Sequence, residues 1–297
     1  MVRRIKRNKK IFLLLILLVV FGGLIFWAIE LFQNSVFQRL SRKTFVFQAN
    51  RSVLLVFSFQ RDEGRVVFFE PKQKVLVARG FGEYELGKIY ELGELEKKGK
   101  ELLRETLRES FLIPVMGVFY ESENLDSQNF KKGNFFPLIF RKALGRKIKT
   151  DLGLVDLLVL YFQAKKVEKN KIEVIDYSFS DTLRYQDERA EWFKDRILRQ
   201  EAFSIEVLNS TDHFGLAQHL ADFLTNAGGI VVRLGDYPQK LAKCQIIFSP
   251  EIEESYTVFW LRSFLGCEER KTSGSDQRAK VSVVVSEEEW EKLNEKW

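Results

Sequence analysis

An α/β (α+β) protein behind one N-terminal transmembrane helix is the architecture this sequence predicts, and three observations predict it. Residues 11–29 are apolar and uncharged throughout. After residue 50, strand-length runs of Val, Leu and Phe alternate with segments of helical periodicity, so helices should cover a sheet. From residue 201 onward the order is strand, helix, strand, strand, helix, strand, a compact βαββαβ unit.

Composition bounds the rest. The 297 residues are 45% hydrophobic, with 27 Phe, 5 Pro and 2 Cys, which excludes a collagen-like, low-complexity or disulfide-dense chain. Arg3, Arg4, Lys6, Arg7, Lys9 and Lys10 precede any acid; taking those six from the 47 basic side chains leaves 41 against 41 acidic ones over residues 11–297. A neutral body has no mean field to gather phosphates, so no nucleic-acid partner is expected.

Residues 1–10 read as a cytoplasmic basic tail and residues 11–32 as the transmembrane helix. Ile11–Ile29 is 19 residues long, close to the roughly 20 that cross a hydrocarbon layer of about 30 Å. Each Leu, Ile, Val or Phe favours insertion by about 0.3–0.6 kcal/mol, and Gly22 and Gly23 are tolerated because lipid offers the backbone no partner but its own helix. The run exceeds the roughly 7–15 residues of a cleaved signal, and no small-x-small cleavage site follows it. The basic block then sets the orientation: N-terminus in the cytoplasm of a bacterial plasma membrane, everything after Phe32 outside.

Residues 33–49, amides and basic residues mixed with Phe, read as a juxtamembrane connector. A first domain is expected over 50–200. Val53–Phe59, Arg65–Glu70 and Lys74–Arg79 read as strands, with a turn at Asp62-Glu63-Gly64. Leu92, Leu95, Leu102, Leu103, Leu107 and Phe111 predict one helix over 91–111, and a strand is expected over 113–120. Residues 122–133 read as a polar loop, 154–166 as a helix capped by Asp151, 171–176 as a strand, and 181–199 as helical around Trp192 and Phe193. The Phe excess reads mostly as core and juxtamembrane contact.

A second domain is expected over 201–297, with strands at 204–208, 230–234, 244–248 and 280–285 and helices at 215–227 and 255–265. Thr211 or Asp212 can cap the first of those helices, and Gly228 suits its left-handed C-terminal position. A terminal amphipathic helix over 287–297 would use Trp290, Leu293 and Trp297.

Few constellations carry chemistry. His213 and His219 are the only histidines, and no Cys or carboxylate falls at ligand spacing around them, so no metal or other cofactor is expected. There is no Gly-x-Ser-x-Gly elbow and no Walker loop. Asn50 and Asn209 begin glycosylation sequons, but Asn209 reads as a turn residue. Asn209, Thr211 and Gly215 either form a cap and nothing more, or line a glycan or anion site at a helix N-terminus.

Ile205-Glu206-Val207-Leu208-Asn209-Ser210-Thr211, then Gly215-Leu216-Ala217 and Leu224-Thr225-Asn226-Ala227-Gly228, resembles the LytR C-terminal domain of LytR-CpsA-Psr (LCP) cell-envelope proteins over about residues 203–293. At the end the match is looser: Ser286-Glu287-Glu288 follows the last strand. Residues 50–176 in turn resemble the scaffold of an LCP phosphotransferase domain. Its arginines bind the pyrophosphate of a polyprenyl-linked glycan, and its aspartates help to hold Mg²⁺. Here Arg51-Ser52 is followed by Val53 where the resemblance implies an aspartate, and Glu70-Pro71-Lys72-Gln73 replaces a Pro-Arg-Asp turn. Gly80, Gly82, Lys88-Ile89, Tyr90 and Gly93 are faintly similar to a further family segment.

Phosphoryl transfer depends on metal ions and arginine forks that neutralise developing charge. Val53 and Gln73 cannot supply anionic ligands, and Lys72 offers a point charge without the bidentate fork. The resemblance therefore implies a pseudoenzyme: an extracytoplasmic protein that binds a cell-wall glycan or an envelope protein, with Arg51 and Lys72 as retained ligand contacts. The alternative is an active LCP-type phosphotransferase attaching polyprenyl-pyrophosphate-linked glycopolymers to the wall.

Cys244 and Cys267 remain. One begins a strand and the other follows the next helix; that helix runs back antiparallel, so both sites fall at one end of the sheet. In an oxidising compartment they would bridge; in a reducing one they would stay small buried thiols.

Overall fold

The computed structural model describes residues 21, 30, 32–123, 130, 135–177, 191–272 and 278–294. Most of the expected span at 11–32 lies outside the described residues, and among the described residues no helix is long and apolar enough to cross a membrane.

The first unit is a six-stranded sheet covered on both faces. A short helix α1 (Val36–Arg39) leads into β1 (Arg42–Ala49), β2 (Val53–Gln60), β3 (Glu63–Phe69), the hairpin β4 (Lys74–Val77) and β5 (Gly82–Glu85), α2 (Ile89–Glu94) and α3 (Gly99–Phe111). β6 (Gly117–Glu121), α4 (Phe135–Leu144), β7 (Lys149–Thr150), α5 (Leu154–Ala164) and β8 (Ile172–Tyr177) complete it, with strand order β7-β6-β1-β2-β3-β8.

The expected connector at 33–49 is therefore corrected: it holds β1, a central strand parallel to β6 and antiparallel to β2. Its alternation places Phe45 and Phe47 in one core and Val46 in the other. One face packs Phe45, Phe47, Phe57, Phe59 and Phe119 on Phe136 and Phe140 of α4, ring against ring at centroid distances such as 5.6 Å for Phe45–Phe140. The other face packs Val46, Val56 and Val118 against α2, α3 and the β4–β5 hairpin. Burial on both faces explains why β1 and β2 carry almost no exposed position.

Three further expectations change. The helix expected over 91–111 is broken into α2 and α3, because the chain turns through Lys97 at φ 59° and brings Gly93 so close to Gly99 that a Cβ on Gly93 would lie 2.8 Å from the Gly99 Cα. Asp151 does not cap α5; it accepts from the Val118 amide at 2.8 Å and pairs with Arg104. The strand expected over 113–120 begins at Gly117.

The second unit follows α6 (Arg196–Glu201): β9 (Ser204–Asn209), α7 (Leu216–Ala227), β10 (Ile230–Asp236), β11 (Gln245–Phe248), α8 (Tyr256–Leu265), β12 (Glu268–Lys271), β13 (Val281–Val285) and α9 (Glu287–Asn294). Strand order is β10-β9-β13-β11-β12, so the expected βαββαβ unit gains β12 as a fifth strand. Glu268-Glu269-Arg270-Lys271 is wholly exposed, a charged edge with no apolar alternation to announce it. Val207, Phe248 and Val283 pack under Leu224 of α7 and Trp260 of α8. The boundary expected near Glu201 falls in α6, whose Leu198 joins this second core. Of the helix expected over 181–199, residues 181–190 lie outside the described residues; Trp192 and Phe193 are buried in the first unit.

Candidate functional site

Parallel strands β1 and β6 end together at Ala49 and Glu121, and the carboxyl ends of such strands are where a sheet can present a ligand site. Gln48, fully buried, donates through Nε2 to the carbonyls of Asn50 and Gly87, both at 2.7 Å, while its Oε1 has no partner. The next turn carries Arg51. Its Nε donates to both carboxylate oxygens of Glu91 on α2, at 3.0 and 2.9 Å, which raises the guanidinium pKa further. Tyr90 stacks on Tyr120 at 3.6 Å, and burial pushes both phenols up, so they stay protonated.

Pro71 and Arg51 meet over Gly87: a Cβ there would come within 2.9 Å of the Pro71 Cβ and 3.4 Å of the Arg51 carbonyl. The turn carrying Lys72 thus borders the Arg51 turn, with the Lys72 side chain exposed. Gln73 has both side-chain amide atoms buried without partners. Val53 is 4% exposed and belongs to the Phe-rich core.

Asn209, Thr211 and Gly215 belong to the second unit, at the end of β9 and in the turn before α7. Asn209 Oδ1 accepts from the Thr211 amide at 3.0 Å and hydroxyl at 2.9 Å, and Thr211 Oγ1 accepts from the His213 amide at 3.1 Å. This turn closes on itself; neither Thr211 nor Asp212 caps α7, which begins after Gly215 at φ 86° with no side-chain cap. His213 stacks on Trp290 at 4.0 Å and meets Glu287 at 2.6 Å, holding α9 down.

Gly215 lines a cleft of about 600 Å³ between the units, facing β4 across Phe214, which is completely exposed. Behind it lies an apolar chamber of about 100 Å³ walled by Leu220, Phe223, Leu265 and both cysteines. Cys244 and Cys267 form a disulfide with their Cα atoms 4.8 Å apart. His219 of α7 and Glu109 of α3 line both spaces. Arg108, desolvated so that its pKa falls, donates to the Phe264 carbonyl and lies 4.9 Å over the Phe223 ring. Sequence reasoning reached none of Gln48, Glu91, Arg108 or Glu109, since their partners Gly87, Arg51, Phe264 and His219 are distant along the chain.

Among the described residues no group of three His, Cys, Asp or Glu side chains could hold a metal ion. Solved structures similar to this chain include B. subtilis TagU, 11% identical and covering 52% of this chain and 98% of that one at a TM-score of 0.34. A transcriptional regulator from Enterococcus faecalis is 12% identical, covering 48% of this chain and 77% of that one at 0.32. A protein from Streptococcus agalactiae is 7% identical, covering 48% and 78% at 0.31. No curated protein matches. Residues 202–288 match the LytR C-terminal family model, described as LytR cell envelope-related transcriptional attenuator, and this match points to a role in the cell envelope.

Proposed function

We propose that this chain is a single-pass protein of the bacterial plasma membrane whose part beyond residue 32 lies outside the cell and binds a cell-wall glycan or an envelope protein without catalysing a reaction. The LytR C-terminal match at 202–288 supports the envelope setting, and the uncharged run at 11–29 behind six basic residues supports the anchor and its orientation.

The observation that carries the non-catalytic part is Val53. At the position where an LCP phosphotransferase resembling this chain has an aspartate, the side chain is an apolar one at 4% exposure inside the Phe core. Its neighbour Arg51 is already forked onto Glu91. A Mg²⁺-bound pyrophosphate needs oxygen ligands and open cationic donors; a valine supplies no ligand, and a paired arginine must first give up Glu91.

The test is a transfer assay with the full chain, Mg²⁺ and a polyprenyl-pyrophosphate-linked glycan. No turnover above the no-protein control is expected. Metal-dependent turnover lost in Lys72→Ala would instead establish the phosphotransferase reading. Protease added to intact spheroplasts should remove the C-terminal domain; protection until lysis would reverse the orientation.

A further inference from the structure

α5 has the sequence Leu-Val-Asp-Leu-Leu-Val-Leu-Tyr-Phe-Gln-Ala, apolar on nearly every side. Its inward face, Leu157, Leu160 and Ala164, packs in the first core. Its outward face does not become polar, as a surface helix should. Leu154, Leu158 and Phe162, spaced four apart and so stacked on one side of the helix, are 58%, 41% and 53% exposed. Leu138 on the adjoining α4 and Val36 on α1 are also open, at 38% and 43%.

Where this face sits decides its occupant. Ser35 Oγ donates to Asp156 Oδ1 of α5 at 2.7 Å, and Gln163 Nε2 donates to the Phe37 carbonyl at 3.2 Å, so α5 is fastened along the segment that follows residues 11–32. The Asn34 amide bonds the Glu30 carbonyl at 3.0 Å, so the chain is helical there. From Ile29 to Ser35 is six residues, about 9 Å as helix and at most about 20 Å fully extended. An apolar helix face tied that close to the end of a hydrocarbon span lies within reach of the lipid headgroups.

The charges match. Arg141 and Lys142 follow Leu138 by about one turn on α4, Arg146 and Lys147 follow α4, and Lys165 and Lys166 follow α5, all exposed except the half-buried Lys142. Glu168, an exposed acid nearby, is taken up by Lys171. An apolar stripe flanked by basic residues is the composition of a surface that lies in a membrane interface, its apolar side sunk about 5–10 Å and its cations on anionic lipid.

We propose that the outward face of α5, with Leu138 and Val36, docks on the anionic lipid surface of the leaflet into which residue 30 emerges, holding the first sheet flat against the membrane. The docking rests on the reading of residues 11–32 as a span.

The test uses the full chain with Leu158→Cys, labelled with an environment-sensitive fluorophore and reconstituted in vesicles containing phosphatidylglycerol. Val232→Cys, 54% exposed on β10 of the second unit, is the control position. The Leu158 probe should shift to the blue and be quenched by spin-labelled lipid, the Val232 probe should do neither, and pure phosphatidylcholine or high salt should weaken the Leu158 signals. Arg141→Glu with Lys165→Glu, both at exposed positions, should reduce them without unfolding the protein. Flotation of the same vesicles reads the span separately. A chain that floats while Leu158 stays in water overturns the docking and leaves the anchor intact; a chain that does not float removes both. A blue shift that follows protein concentration and ignores lipid assigns the face to a second copy of the chain and overturns the proposal.

Discussion

His219 of α7 meets Glu109 of α3 at 2.5 Å, an ion pair that joins the two sheet units and forms the partition between the open cleft and the apolar chamber behind it. The hydrogen bond that the His219 ring donates to Glu109 raises the His219 pKa; burial works against it, and Asp222 on the same helix adds to it. Arg108 beside Glu109 is the cation facing this pair from α3. A histidine raised in the folded state stabilises fully below its ordinary pKa of about 6.5 and loses that contribution as pH climbs through the raised value. The pair should therefore be closed in mildly acid conditions and open toward alkaline ones. Proton titration of the His219 ring by NMR should give a value above the ordinary one, lowered to the ordinary value or below it by Glu109→Gln. A ring titrating at or below the ordinary value in the wild type would falsify the pairing of His219 with Glu109.

Asp195 supports a second junction. Buried at 1% exposure, it accepts from the amides of Ile197 and Leu198 at the start of α6, from the Arg42 amide of β1 at 3.0 Å and from the Tyr256 hydroxyl of α8 at 2.5 Å. One carboxylate thus caps a helix and ties both sheets. Asp195→Ala strands several buried donors and should cost at least about 3 kcal/mol, whereas Tyr256→Phe loses one bond and should cost about 1–2 kcal/mol. Urea unfolding of the single and double variants should show strong non-additivity between Asp195→Asn and Tyr256→Phe. Additive effects would mean the hydroxyl and carboxylate act independently.

Lys43 on β1 is 7% exposed, and burial pushes its ammonium down to about 8, with Lys166 adding to the effect and Asp195 opposing it. Between about pH 8 and the ordinary lysine value near 10.4 the unfolded chain holds a proton that the folded chain has lost, so stability should rise with pH over that window. Lys43→Met should flatten the rise and, at neutral pH, stabilise the protein by up to about 3 kcal/mol, taking about 1.4 kcal/mol per unit of displacement. Urea midpoints of both proteins from neutral to alkaline pH decide it. A steeper rise in the variant would contradict the assignment.

These junctions mark what was and was not legible in the sequence. The second unit could be read because its signals are local: apolar strands of four to seven residues, and Gly228 in the left-handed position that ends α7. β1 could not, because Arg42 and Gln48 look like a linker until their distant partners are known. The Arg42 guanidinium reaches the Lys194 carbonyl, 152 positions away, and Gln48 reaches Gly87. α4 was hidden by Pro137, which breaks a helix interior but is tolerated in the first turn where it sits. At the candidate site Arg51 stood out, but its partner Glu91 lies 40 positions on, and Glu109 lies 110 positions from His219. Spacing along the chain carries no information about such pairs.

The disulfide gives the last prediction. Cys244 precedes β11 and Cys267 leads into β12, and the Glu268 amide bonds the Cys244 carbonyl at 2.9 Å where the two strands begin to pair in parallel. The bond closes a loop of 23 positions around α8, worth about 3 kcal/mol on the chain-entropy account. Every residue of the charged edge strand β12 is exposed, so the bridge, the backbone ladder and surface pairs such as Arg262–Glu269 and Lys271–Glu253 are what retain it. Replacing both cysteines by serine should lower stability by about that amount, and amide exchange should accelerate first in Glu268–Lys271 and the facing edge of β11 while β9 and β13 stay protected by the core under α7 and α8. Alkylation of protein never exposed to reductant should label neither cysteine. Two labelled thiols, or a serine pair with an unchanged urea midpoint and unchanged exchange along β12, would remove the bridge from the account of how this edge is held.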